Sequence, residues 1–95
     1  MRKYGRTDSN QTEVVKALRG IGATVHSLAP LGNGCPDVLV GYGGTNWILE
    51  IKDGDKPPSA RKLTDDEKDW HAEWRGTVHV VETVEQALQT IRGCV

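Results

Sequence analysis

The chain lacks the features by which several protein classes are recognised from sequence. It has only two cysteines, Cys35 and Cys94, and no cysteine or histidine pair at zinc-ligand spacing. No apolar run approaches the ~18 residues of a membrane span. The polar residues 1–10 do not resemble a secretory signal. We therefore expect a cytoplasmic protein with reduced thiols and no membrane partner.

The chain also has no excess of charge of one sign. Twelve Lys and Arg residues oppose 13 Asp and Glu residues, which gives a formal net charge of −1. This excludes the overall basic composition of a strong nucleic-acid binder, so any basic surface must be local. The 95 residues fit one domain, residues 1–95, with one modest core. Residues 1–8 are predicted to be a flexible basic N-terminus. Such a small domain gains from oligomerisation, which favours a homodimer.

Residues 34–52 are the most informative stretch. Two apolar runs flank a glycine-containing loop, which is the pattern of a β-hairpin. With the turn centred between Gly43 and Gly44, Asp37 lies opposite Glu50. Since side chains alternate along a strand, Lys52 lies on the same face as these two acids.

Two acids and a lysine on one face of a buried hairpin predict a site for a cation. Like charges that face each other destabilise a sheet, and burying unpaired carboxylates costs still more. A divalent cation would compensate, because Mg²⁺ typically takes one or two carboxylates and keeps several waters. Lys52 adds a fixed positive charge, so the set suits an anionic substrate whose phosphoryl oxygens gain charge during reaction.

These residues resemble the signature of the PD-(D/E)xK nucleases, which reads here as Pro36-Asp37, twelve residues, and then Glu50-Ile51-Lys52. The Gly-Cys-Pro-Asp start and the Leu-Thr-x-x-Glu-Lys-x-Trp-His-x-x-Trp run at residues 63–74 look like the VRR-Nuc branch. The resemblance covers roughly residues 11–81. It implies an α/β fold, in which a small mixed β-sheet is flanked by helices around a restriction-endonuclease-like core. The implied element order is αβββαβ(α).

The resemblance also implies roles for individual residues. Asp37 and Glu50, with the backbone carbonyl of Ile51, would bind Mg²⁺ or Mn²⁺, and Lys52 would be catalytic. Glu13 would be a further catalytic acid on the first helix, although a capping-box role explains it equally well. Three lysines are expected to contact nucleic acid: Lys56, Lys62 and Lys68.

The helix predicted at residues 64–75 leaves further assignments open. Similar nucleases complete the site with a polar residue of this helix, often glutamine, for which the candidates here are Glu67 and Lys68. His71, four residues after Glu67, is predicted to be an exposed helix residue. Two tryptophans on the face of Glu67 are expected to be core or dimer contacts rather than base-stacking groups: Trp70 and Trp74.

Capping and periodicity place the other elements. Asn10 is predicted to cap the first helix, and Gly76 is predicted to end the second. A strand is expected at residues 23–28, and another at residues 77–82, whose predicted buried residues are Val78, Val80 and Val81. A final helix follows this last strand.

The sequence therefore predicts a metal-dependent DNA endonuclease that hydrolyses phosphodiester bonds. The resemblance implies a phage or bacterial enzyme that acts as a homodimer on branched DNA, such as a Holliday junction. One alternative is a catalytically silent nucleic-acid-binding module, and another is a plain structural domain. The Asp37, Glu50 and Lys52 set argues against both, because neither needs three costly charged residues on one face.

Overall fold

The computed structural model describes residues 9–93, so Cys94 and the predicted flexible N-terminus at residues 1–8 lie outside the described residues. The element order confirms the predicted αβββαβα sequence. It is α1 (Ser9–Gly20), β1 (Thr24–Ser27), β2 (Val38–Tyr42), β3 (Thr45–Ile51), α2 (Asp65–Glu73), β4 (His79–Val81) and α3 (Val84–Arg92). Within residues 9–93, no helix is both long and apolar enough to cross a membrane.

The four strands form one mixed sheet, as predicted. Its order is β1-β2-β3-β4. The first three strands are antiparallel, and β4 returns through α2 to lie parallel to β3. The β2–β3 hairpin has the predicted register, in which Val38 pairs with Leu49 and Tyr42 pairs with Thr45.

The two faces of the sheet differ in composition. One face packs against α1 and α3 and forms the core, as alternation along the strands requires. The opposite face carries Glu50 and Lys52, which contact α2. The buried apolar residues of the core are Val14, Leu18, Ala23, Val25, Val38, Val40, Leu49, Ile51, Val81, Ala87 and Ile91.

The first helix begins earlier than predicted. Because α1 starts at Ser9, Asn10 lies inside the helix and is not its N-cap. The Asn10 side-chain amide instead donates to the carbonyls of Lys52 at 2.6 Å and Glu82 at 3.1 Å. These carbonyls directly follow the ends of β3 and β4, so Asn10 joins the helix to both parallel strands.

The second helix begins as predicted but ends early. Thr64 and Glu67 form the predicted capping box. The helix ends before Trp74, whose backbone is extended, and not at Gly76. The Trp74 ring stacks on Trp70 with centroids 4.7 Å apart. The chain then passes so close to the Trp74 ring that a Cβ at Gly76 would lie 2.8 Å from its Nε1.

The fourth strand is shorter than predicted, at His79–Val81 instead of residues 77–82. Val81 is buried in the core, but Val80 is 46% exposed and the prediction that it is buried was wrong. The register pairs Val80 with Glu50. Val80 therefore lies on the face of the sheet that α2 covers only in part.

Gly34 fixes the loop before β2 against α2. Its φ of +81° lies in the left-handed region, and a Cβ at this position would overlap the backbone carbonyl of Asp66. Both features require glycine.

We expect Gly34→Ala to lower the free energy of unfolding by about 2–4 kcal/mol, because it adds left-handed strain to a steric overlap. Urea denaturation would measure the loss. The matched control is Gly43→Ala, since Gly43 has a φ of +58° and no atom within 4 Å of an added Cβ. This control should cost only about 1–2 kcal/mol. Equal losses would show that the contact with α2 contributes nothing.

Candidate active site

Two carboxyl groups meet where β2 begins and β3 ends. Asp37 directly precedes β2, and its N–H donates to the carbonyl of Leu49, the residue that pairs with Val38, at 3.0 Å. Asp37 Oδ2 accepts from the Ile51 N–H at 2.6 Å. Glu50 is 2% exposed and is the one buried charged side chain within the described residues. The hairpin thus brings together the predicted acidic pair.

This pair is electrostatically costly. Burial raises the pKa of Glu50, and the charges of Asp37 and Glu67 contribute to an elevation to about 9. Burial also raises the pKa of Asp37, although hydrogen bonds from the Ile51 N–H and from Glu50 oppose this rise. These raised pKa values favour a single proton shared by the two carboxyl groups at neutral pH when no cation is bound.

Lys52 supplies positive charge beside the pair. Its Nζ donates to Glu67 Oε1 at 2.8 Å, and the two side chains are 14% and 19% exposed. Burial acts to lower the pKa of Lys52, but the hydrogen bond and the neighbouring negative charges outweigh it and raise the pKa. Burial acts to raise the pKa of Glu67, but hydrogen bonds from Lys52 and the Thr64 N–H lower it on balance. Both groups therefore stay charged at neutral pH.

A histidine of α2 also reaches the site. His71 Nε2 lies 3.3 Å from Glu50 Oε1, and its side chain is 15% exposed. The prediction that His71 is an exposed helix residue was therefore wrong. Residues four apart lie on one helical face, so a single face of α2 contacts Lys52 through Glu67 and Glu50 through His71. The four-residue spacing of Glu67 and His71 is the feature of the sequence that could have indicated this contact.

The other predicted site residues lie outside this cluster. Glu13 is exposed on α1 and borders a separate cleft with Asp53 and Glu82. Within the described residues no direct contact joins Glu13 to the acidic pair, so its catalytic role stays a prediction. Of the two candidates on α2, Glu67 contacts the site. The three lysines predicted to contact nucleic acid are exposed: Lys56, Lys62 and Lys68.

The donor set suits a hard divalent cation. Residues 9–93 contain no group of three or more His, Cys, Asp or Glu side chains arranged to hold a metal ion. Asp37 and Glu50 are the two side-chain ligands that the sequence predicts, and the structure brings their carboxyl groups into contact. Two carboxylates with several retained waters are a usual coordination for Mg²⁺. A cation beside this pair would take the place of the shared proton and remove the repulsion between the two carboxylates.

We expect Glu50→Gln to stabilise the metal-free protein at pH 8. The pKa of Glu50 rises from 4.5 to about 9 on folding, so the folded state binds more protons than the unfolded state. The free energy of unfolding should therefore fall as pH rises through this range. Glutamine has no such proton to lose, and the variant should gain on the order of 1–3 kcal/mol at pH 8.

Urea denaturation in EDTA between pH 5 and pH 9 would measure this gain. Glu85→Gln is the matched control, because Glu85 is an exposed acid on α3 and its replacement should leave the stability unchanged within about 0.5 kcal/mol. A loss of stability in Glu50→Gln at pH 8 would contradict the strain assigned to the pair.

Comparison with known proteins supports the fold and its family. No protein-family profile and no curated protein sequence matches the chain. A solved structure described as a VRR_NUC domain is similar to it, with 25% sequence identity and a TM-score of 0.58. The similarity covers 93% of this chain and 100% of the solved one. The order of strands and helices also agrees, so the chain has the fold of a VRR_NUC domain, and this similarity supports the resemblance to the VRR-Nuc family.

Proposed function

We propose that the protein is a Mg²⁺- or Mn²⁺-dependent endonuclease that hydrolyses phosphodiester bonds in DNA. The observation that carries the proposal is the contact between half-buried Asp37 and buried Glu50, with Lys52 on the same face of the sheet as Glu50. Two like charges in partly or fully buried positions destabilise a fold, whereas a metal-dependent phosphodiesterase needs them to hold its cation. The similarity to a VRR_NUC domain supports the same chemistry.

Each polar group of the cluster has a distinct task in this proposal. Asp37, Glu50 and the Ile51 carbonyl would hold the cation. When bound, the cation would neutralise phosphate charge and lower the pKa of a coordinated water. Lys52 would donate to a phosphoryl oxygen as negative charge develops there. Glu67 positions the ammonium group of Lys52 through their 2.8 Å hydrogen bond.

His71 would orient the Glu50 carboxyl group. Its Nε2 is within 3.3 Å of Glu50 Oε1, and an outer partner of this kind fixes the direction in which a ligand presents its oxygen. The catalytic role predicted for Glu13 remains part of the proposal, as an acid that acts through water or a second cation.

The segment between β3 and α2 is proposed to contact the DNA backbone. Lys56 and Lys62 are exposed on it, and Lys68 is exposed on α2. Arg61 Nη1 donates to Glu82 Oε1 at 3.0 Å, which ties this segment to the end of β4. Lysines on an anchored loop beside the acidic pair suit phosphates that flank the cut.

The preferred substrate is proposed to be branched DNA, such as a four-way junction. In this proposal a homodimer acts in the cytosol of a bacterial cell and cuts two strands symmetrically. The charge balance of the chain supports selection by DNA shape, because a net charge of −1 gives little general attraction to duplex.

Replacing the acidic pair or its lysine should abolish cutting. We expect Asp37→Ala, Glu50→Ala and Lys52→Ala to lower the cleavage rate by at least about 10³-fold, because each removes a cation ligand or the fixed positive charge. The assay compares a labelled four-way junction with linear duplex in Mg²⁺, Mn²⁺ or EDTA. The matched control is Asp69→Ala, an exposed acid of α2, which should keep full activity.

The products separate the proposed function from its alternatives. Paired symmetric nicks that require both metal and Asp37 would support the full proposal. Metal-dependent cutting of another DNA form would keep the chemistry and refute the junction substrate. Binding without cutting in any metal would identify a silent nucleic-acid-binding module instead.

A second prediction concerns Glu67. Its Oε1 accepts from Lys52 Nζ and from the Thr64 N–H, both at 2.8 Å. A glutamine oxygen can accept the same two bonds, so Glu67→Gln should keep the cleavage rate within about 10-fold. Glu67→Ala leaves the ammonium group unplaced, and its rate should fall by about 10²-fold. Equal rates in the two variants would show that Glu67 does not position Lys52.

A further inference from the structure

The backbone of Lys52 is held by two elements at the point where β3 ends. Its N–H donates to the Val81 carbonyl at 2.9 Å, which extends the parallel pairing of β3 with β4 by one residue. Its carbonyl accepts from the side-chain amide of Asn10, on α1, at 2.6 Å. The backbone of this residue is therefore bonded to β4 on one side and to α1 on the other.

The same amide group also holds the segment that follows β4. Asn10 Nδ2 donates to the Glu82 carbonyl at 3.1 Å, and that carbonyl accepts from the Gly54 N–H at 3.1 Å. The two segments approach closely, because a Cβ on Gly54 would lie 2.9 Å from the Glu82 carbonyl oxygen. The chain after β3 is thus joined to the chain after β4 by a backbone bond and by Asn10.

Helix formation does not explain why asparagine stands at this position. Asn10 is the second residue of α1 and not its N-cap, and asparagine is a poor helix former inside a helix. Its side-chain amide nitrogen carries two hydrogens that can be donated, and the structure directs that nitrogen at two carbonyls. Asn10 therefore contributes through bonds to distant segments.

The other end of the lysine is held by a third element. Lys52 Nζ donates to Glu67 Oε1, on α2, at 2.8 Å. The Asn10 bond fixes the backbone from which the side chain leaves, and Glu67 fixes where the side chain ends. This matters for a reacting group, since a misplacement of about 1 Å can cost about 10²-fold in rate.

We infer that Asn10 is a positioning residue, which acts through the backbone of Lys52 and sets the direction in which the lysine side chain leaves β3. The inference deepens the proposed function and rests on it for the role of Lys52 in cutting. Because the Asn10 side chain bonds backbone carbonyls, its effect reaches the reaction through Lys52. Its loss should therefore slow the cutting step and leave DNA binding unchanged.

Steady-state cleavage in Mg²⁺ tests the effect on the reaction, with a labelled four-way junction or with linear duplex if the wild type prefers it. Asn10→Ala should lower kcat by about 10- to 100-fold and leave KM within about 3-fold. Arg19→Ala is the matched control. Arg19 Nη2 also donates from α1 to a strand carbonyl, that of Val25 at 2.9 Å, but β1 lies at the far edge of the sheet. This control should keep the kcat of the wild type.

Amide hydrogen exchange, measured by NMR without DNA and in EDTA, tests the anchoring without any activity. The probes are the N–H groups of Lys52 and Gly54, which donate to the carbonyls of Val81 and Glu82. In Asn10→Ala both should exchange at least about 10-fold faster than in the wild type, beyond any change shared by the core strands. In the Arg19→Ala control the two probes should change no more than the core strands do.

Asn10→Asp separates the two hydrogen bonds from the start of the helix. Aspartate has the shape of asparagine and suits the first turn of a helix, but its ionised carboxylate has no hydrogen to donate. It should lower kcat at least as much as Asn10→Ala does. This variant carries the test if circular dichroism shows that Asn10→Ala does not fold.

Three results would overturn the inference. One is a wild-type kcat in Asn10→Ala or Asn10→Asp. Another is a raised KM with an unchanged kcat, which would assign Asn10 to DNA binding. The third is faster exchange that is spread evenly over all four strands of Asn10→Ala, which would show a purely structural role.

The proposed function can fail separately. If the wild type cuts no DNA but the two probes exchange faster in Asn10→Ala, the nuclease is refuted and the anchoring of Lys52 stands. If the wild type cuts DNA and Asn10→Ala cuts it equally fast, the nuclease stands and Asn10 does not position Lys52.

Discussion

The repulsion between a buried and a half-buried carboxyl group is the constraint on which the rest of the site depends. The hairpin brings the side chain of Asp37 to that of Glu50, and desolvation raises the pKa of both. A structure can hold such a pair only with a proton or a cation between the groups. Lys52 reduces the negative potential and is itself held by Glu67. The local fold is thus arranged for charge compensation at one end of β3.

Helix α2 contacts both the charged cluster and an apolar groove on one face of the sheet. Glu67 and His71 contact the charged end, while Trp70 and Trp74 line the groove beside it. The opposite face of the sheet is closed by α1 and α3 and forms the ordinary core. The candidate site and the apolar groove therefore share the face of the sheet that a single short helix leaves partly open.

Local patterns predicted the features that depend on neighbours in the chain. The hairpin register and the start of α2 follow from a glycine turn, strand alternation and a capping pair. The errors at Asn10, His71 and Val80 concern residues whose environments are set by segments distant in sequence. Asn10 bonds the ends of two strands, His71 is covered by the sheet, and Val80 lies where α2 does not cover the sheet. Each of these environments depends on how the elements pack together. Spacing within one element does not contain that information.

The hydrogen bonds of Asn10 make the site depend on a distant part of the chain. The amide group spans 42 residues to reach the Lys52 carbonyl and 72 to reach the Glu82 carbonyl. It thereby joins the ends of the parallel strands β3 and β4, next to Lys52. The backbone of Lys52 is therefore anchored by the first turn of α1. A truncation or fusion near residue 10 would therefore act on the candidate site, even though it leaves every acid and base of the cluster in place.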